Sequence, residues 1–255
     1  MKKPRAAFIV ADKKVENQYN MLIASLRKFH SEEELPVIRI DEEKIKTYND
    51  PQFFYRSKAL IAKELIKKYE CVIALDSDQI VTGKLDEIWN EDYDVAVVNN
   101  SNPREFNSYP YRFLNVHPFS YVNCGLVAMR SESFIDFWNN FNHSMFFPVL
   151  QMREQDTLNL LVHSNNFTIK RLDEGDSFYG LANKGYTPYA ILRDGKIILP
   201  ANSDADAANA GKGWPDKEKQ IRVYHWAAGH DAPDKMNYRT IFSEEVVKYI
   251  DTLVK

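Results

Sequence analysis

At 255 residues, with 44% hydrophobic and 27% charged residues, the chain has the composition of a soluble globular protein and the length for a full core. A formal net charge of −3 excludes the basic footprint of a nucleic-acid binder and offers nothing to an anionic membrane surface. The two cysteines, Cys71 and Cys124, sit in apolar runs without His or Cys neighbours at ligand spacing, so they read as buried thiols of a cytoplasmic protein and not as a zinc site.

In chain order, residues 6–11 read as a first strand, too short for a signal-peptide core or a membrane span. Val15, Tyr19, Leu22, Leu26 and Phe29 recur at helical spacing, which predicts an amphipathic helix. Residues 36–40 are a second strand. Tyr55, Ala59, Ala62, Leu65, Ile66 and Tyr69 form another helical stripe, leading into the apolar run 71–75. This βαβαβ opening predicts a parallel sheet with helices on its faces. A short turn at 85–89 and a strand at 94–98 follow. Residues 99–121 are polar, aromatic and proline-bearing with no period, and read as a lid or acceptor loop.

Residues 121–129 are a strand, and Ser131 is placed to cap a helix that buries Phe134, Phe137, Trp138 and Phe141. Glu154-Gln155-Asp156 opens the next helix, with Leu158, Leu161 and Val162 inward. Strands are predicted at 167–171, 196–199 and 221–226. Between them lie a Gly/Pro/aromatic loop at 176–189 and a small, polar excursion at 201–220, a second lid or acceptor loop. A final helix begins near Ser243. No repeat or linker interrupts the pattern, so residues 1–255 read as one domain.

The chemistry centres on Cys71-Val72-Ile73-Ala74-Leu75-Asp76-Ser77-Asp78. In extended backbone, residues i and i+2 share a side. Asp76 and Asp78 therefore converge at the strand's C-terminal end, where open α/β sheets bind ligands. Two adjacent carboxylates repel unless a cation sits between them, which points to a divalent metal and a phosphate-bearing substrate. The nine glycines begin only at Gly83. The first strand thus lacks the glycine-rich turn of a dinucleotide fingerprint or P-loop. A nucleotide would have to be held through a metal bridging its phosphates.

Three further clusters follow in order. Arg56-Ser57-Lys58 lies on the helix that feeds the acidic strand, Asn123-Cys124-Gly125 on a later strand, and Glu154-Gln155-Asp156-Thr157-Leu158-Asn159 at a helix start. A His-bearing strand ending at His225 then precedes a Gly…Lys tail through Gly229, His230 and Lys235. From the first strand to about Tyr238 the pattern resembles glycosyltransferase family 8, the glycogenin and lipopolysaccharide galactosyltransferase group.

The resemblance implies a GT-A fold, a Rossmann-like α/β/α sandwich with a mixed, mostly parallel central sheet. It implies a retaining hexosyltransferase that takes a UDP-sugar, UDP-galactose or UDP-glucose, as donor and a glycan or other hydroxyl as acceptor. Asp76, Asp78 and His225 would hold Mn²⁺, with Mg²⁺ less suited to a nitrogen ligand. Ala11, Asp12, Arg56, Lys58, Ser77, Asn123 and Gly125 would line the nucleotide-sugar site. Gly229 with Lys235 or His230 would meet the diphosphate. Glu154, Gln155 and Asp156 would sit at the reacting carbon, with Gln155 a polar stabiliser because an amide is a poor nucleophile. The chain departs from the family at Glu154, where Asp is usual, and in the tail, which lacks the usual Pro-Trp.

Plainer readings stand beside these. Asp76 and Asp78 also suit a solvated acidic turn, His225 a hydrogen-bonded strand end, and Glu154 to Asp156 the acidic first turn of a helix. Asn123 suits local backbone bonding, Arg56 and Lys58 a solvated helix face, and Asp12 the cap of the first helix. Two other functions fit in part. A haloacid-dehalogenase-type phosphatase would use Asp76 as nucleophile, but its late Gly-Asp-x-x-x-Asp pair meets Gly180 after Gly175-Asp176. An inactive sugar-nucleotide-binding module would have less need of a metal.

Overall fold

A computed structural model describes residues 3–99, 120–150, 152–180, 187–201, 217–226 and 238–255. Its central sheet has six strands in the order β2-β1-β3-β6-β5-β7. These are β1 (Lys3–Val10), β2 (Val37–Ile40), β3 (Tyr69–Leu75), β5 (Val95–Asn99), β6 (Val122–Met129) and β7 (Ile169–Arg171). β1 pairs in parallel with β2 and β3, and β5 with β7, while β6 runs antiparallel to both β3 and β5. The sheet is thus mixed and mostly parallel, as the βαβαβ opening predicts.

The helices cover both faces. Strand side chains alternate, so Ala7, Ile9, Cys71 and Ile73 pack on Leu22 and Leu26 of α1 (Glu16–Arg27). Ala6, Phe8, Val72 and Ala74 pack on the other side with three helices. These are α3 (Phe53–Leu65), α4 (Glu132–Asn142) and α5 (Glu154–Val162). Burial on both faces accounts for the unbroken apolar runs in β1 and β3. Ser131 caps α4 as expected, accepting from Phe134 N. A short α2 (Glu42–Thr47), capped by Asp41, was not legible in the apolar pattern because it buries no residue.

A second layer adds β8 (Ser177–Phe178), β9 (Ile191–Arg193), β10 (Lys196–Leu199) and β11 (Lys219–Ile221) in the order β8-β11-β10-β9. The final helix α6 (Glu244–Leu253) joins this sheet's core through Val246 and Ile250. The segment 221–226, predicted as one strand, is two. It breaks at Arg222, whose N–H goes to Phe178 O and whose carbonyl accepts from Thr82 N. Beyond the break, β12 (Val223–His225) pairs antiparallel with β4 (Gln79–Val81), setting His225 opposite Gln79. That register carries the histidine from a distant part of the chain to the acidic pair. Among the described residues no helix is long and apolar enough to cross a membrane.

Candidate functional site

β1 and β3 are adjacent and parallel, and α1 and α3 cover opposite faces. A crevice therefore opens at their C-terminal ends. It is a cavity of about 190 Å³. Its β1–α1 side is mostly apolar, with Phe8, Val10 and Val15, and carries one polar residue, Gln18. Phe54, Ser57 and Lys58 come from α3, and Asp76, Ser77 and Asp78 from the end of β3.

At the β3 side, Asp78 Oδ1 lies 3.1 Å from His225 Nε2, and Asp76 Oδ2 lies 3.8 Å from the same nitrogen. One ligand atom from each of the three residues falls within 4.8 Å of the others. Two carboxylates and one imidazole are a donor set for a divalent cation. The histidine ring is packed closely against Gly125. A Cβ there would meet His225 Cε1 at 2.3 Å and Nδ1 at 2.7 Å. Glycine at 125 is thus a steric requirement, and it leaves Nε2 as the atom presented to the carboxylates. Burial alone would lower the imidazole's pKa. Asp78, by charge and hydrogen bond, and Asp76 outweigh burial and raise it.

Lys58 ties this trio to the start of α5. Its ammonium lies 2.9 Å from Asp76 Oδ1 and 3.1 Å from Glu154 Oε1. Burial opposes its charge, but Asp76, Cys124 and Glu154 together hold its pKa well above the ordinary value. Glu154 is buried, which raises its carboxyl pKa despite the pull of Lys58. Its second oxygen accepts from the Lys58 backbone N at 3.3 Å.

The rest of the α5 start is cross-braced to β6. Gln155 Oε1 accepts from Asn123 Nδ2 at 3.0 Å and from Cys124 N at 3.1 Å. Asn123 Oδ1 accepts from Gly125 N at 2.7 Å. Asp156 accepts from the Tyr121 hydroxyl and from Met152 N, so both its oxygens serve the local structure. Asn159 bridges Val122 N and O at 2.8 and 2.9 Å. Trp138 donates its indole N–H to Glu154 O and Thr157 Oγ1.

The remaining candidates lie apart from this cluster. Asp12 accepts from Lys14 N at 2.9 Å and caps the 3₁₀ turn before α1. Ala11 is fully buried, and its neighbours Val10 and Val15 line the cavity in its place. Arg56 is held by Asp50 through two hydrogen bonds of 2.5 and 2.6 Å. Gly229, His230 and Lys235 lie outside the described residues, as do 100–119 and 202–216 of the expected loops. Gln18 was missed from sequence. It is buried on α1 and lines the cavity. The available signal was a glutamine three residues after Val15 and four before Leu22, inside the apolar stripe.

No protein-family profile matches the chain, and no curated protein sequence matches it. Solved structures do. The galactosyltransferase LgtC, in complex with donor and acceptor sugar analogues, superposes with a TM-score of 0.55 at 14% identity over 98% of this chain and 96% of its own. The apo bifunctional glycosyltransferase WbbM gives a TM-score of 0.58 at 13% identity over 90% of this chain and 46% of its own, so the chain spans about half of that protein. Mouse xyloside xylosyltransferase 1, apo form, gives 0.53 at 10% identity over 89% and 98%. The likeness establishes the architecture as that of the GT-A glycosyltransferases.

Proposed function

We propose that residues 1–255 act as one metal-dependent, retaining glycosyltransferase. The reaction moves a hexose from a UDP-sugar, UDP-galactose or UDP-glucose, to a hydroxyl acceptor such as a glycan. The observation that carries this reading is the convergence of Asp76, Asp78 and His225 beside a cavity with one mostly apolar and one carboxylate side. The apolar side suits a nucleobase, and the carboxylate side suits a phosphate-bound cation.

Departure of a nucleoside diphosphate leaves negative charge on its phosphates. A Mn²⁺ ion held by Asp76, Asp78 and His225 supplies Lewis-acid neutralisation of that charge when bound. Lys58, kept charged between Asp76 and Glu154, adds a positive charge to the same wall. Gln155 acts as an oriented dipole near the sugar carbon. Its amide plane is set by the two N–H groups that hold Oε1, so the amide nitrogen, the donor end of the dipole, is the end that would face substrate oxygens gaining negative charge. Glu154 positions Lys58, and Asp156 holds the helix start. His230 or Lys235 supplies a further cation to the diphosphate.

The phosphatase reading is disfavoured by the placement of its second acid. Asp176 pairs with Lys217 at 2.6 Å and lines a different cavity from Asp76.

The test is slow hydrolysis of a panel of UDP-sugars with Mn²⁺. One hexose donor should turn over in a metal-dependent way, and Asp78→Asn should abolish both turnover and metal dependence. Full activity in Asp78→Asn contradicts the ligand assignment. Phosphate release from simple phosphoesters without UDP-sugar turnover favours the phosphatase.

A further inference from the structure

The metal trio and the start of α5 share one cation, and that sharing has a direction. Lys58 Nζ stands between Asp76 Oδ1 at 2.9 Å and Glu154 Oε1 at 3.1 Å. Of these two carboxylates, Asp76 belongs to the group whose ligand atoms meet, and Glu154 does not. We propose that Lys58 is a tethered counter-ion of the metal site: its ammonium neutralises Asp76 in the free protein and is handed to Glu154 when a divalent cation takes Asp76.

This rests on the metal reading above and adds to it a role for Lys58 and Glu154 that is separate from the donor. Three features support it. Several carboxylates in one partly buried cluster repel without a cation among them, and a lysine already in place relieves this without a metal. The same ammonium, on Asp76 Oδ1 while Oδ2 faces His225, repels an incoming divalent cation, and a shift toward Glu154 relieves that repulsion. The receiving carboxylate is fixed within reach: Glu154 Oε2 accepts from the Lys58 backbone N at 3.3 Å, and Trp138 holds the Glu154 carbonyl at 3.1 Å. The Glu154 side chain is only 6% exposed, so solvent does not compete for the ammonium.

Lys58 is therefore a positioning residue that sets cation affinity through Asp76. The experiment is calorimetric titration of Mn²⁺ alone, without nucleotide, into the full chain and three variants. Lys58→Met should bind Mn²⁺ about tenfold more tightly, the change one partly buried ion pair carries. Lys58→Gln should behave alike, and serves if the methionine variant does not fold. Arg56→Met removes a cation from the same helix that is already matched by Asp50. It should stay within about twofold of the native chain, since an exposed or compensated charge is screened.

Equal or weaker Mn²⁺ binding by both Lys58 variants overturns the inference and leaves Lys58 as a donor contact. Tightening by Arg56→Met to the same degree also overturns it, because net charge alone then explains the effect. No Mn²⁺ binding by the native chain with or without UDP contradicts the metal site itself. UDP-dependent Mn²⁺ binding that Lys58→Met leaves unchanged contradicts only the counter-ion role.

Discussion

Gly125→Ala tests how tightly His225, the proposed metal ligand, is packed. The new methyl carbon would stand 2.3 Å from His225 Cε1, 2.7 Å from Nδ1 and 2.8 Å from Asn123 Oδ1. Carbon atoms in contact rest at about 3.5–4.0 Å, so the ring must shift by roughly an ångström. The strand cannot give way in its place, because β12 is paired to β4 through Val223–Val81, Tyr224–Ile80 and His225–Gln79. The displaced ring loses its 3.1 Å approach to Asp78. Overpacking of this kind costs about 1–3 kcal/mol, which lowers Tm by roughly 2–12 °C in a domain of this size. Disturbing a ligand's seat costs about tenfold or more in metal affinity. Differential scanning calorimetry and Mn²⁺ titration read the two effects. Gly195→Ala is the control: Gly195 has φ +67° and nothing within 4 Å of an added Cβ. It should lower Tm through backbone strain alone and leave Mn²⁺ affinity intact. A Gly125→Ala protein with native Tm and native Mn²⁺ affinity refutes the reasoning.

Two further outcomes are expected. Asn159→Leu should destabilise the chain by about 2–4 kcal/mol in urea, because it leaves the buried N–H and C=O of Val122 unpaired; a loss below about 0.5 kcal/mol contradicts the bracing role. His30 is buried and accepts from Leu85 N at 2.9 Å through Nε2, and burial holds its pKa below the ordinary 6.5 despite Glu34. The unfolded chain therefore takes up this proton first, so the contribution of His30 is full above about pH 6.5 and shrinks as the pH falls toward the lower folded value. Tm should fall between pH 7 and 5 more steeply in the native chain than in His30→Gln, and parallel profiles contradict this.

The layered α/β plan was legible because its signals are periodic. The stripes of α1 and α3 and the doubly buried runs of β1 and β3 report their burial directly. The acidic pair was legible for the same reason: it ends such a run. What escaped is short or set by tertiary pairing. β4 has three residues and exists because β12 pairs with it. The break at Arg222 depends on Phe178 and Thr82, far away in sequence. The hairpin between β9 and β10 was readable and overlooked: Asp194-Gly195, with φ of 51° and 67°, is the two-residue turn such hairpins favour. At the site, side-chain reach decided what spacing left open. Lys58 was expected to line the nucleotide-sugar site, and the ion pairs it makes are a bridge between Asp76 and Glu154. Asp156 was expected at the sugar, and its oxygens are taken by Tyr121 and Met152.

The central claim is that Asp76, Asp78 and His225 bind a divalent cation and, through it, a nucleoside diphosphate. Calorimetric titration of UDP into the chain with and without Mn²⁺ tests it most directly. The account predicts binding that strengthens by at least about a hundredfold, about 2.7 kcal/mol, when Mn²⁺ is present, and that loses this dependence in Asp78→Asn. UDP affinity that is the same with Mn²⁺ and with chelator contradicts it.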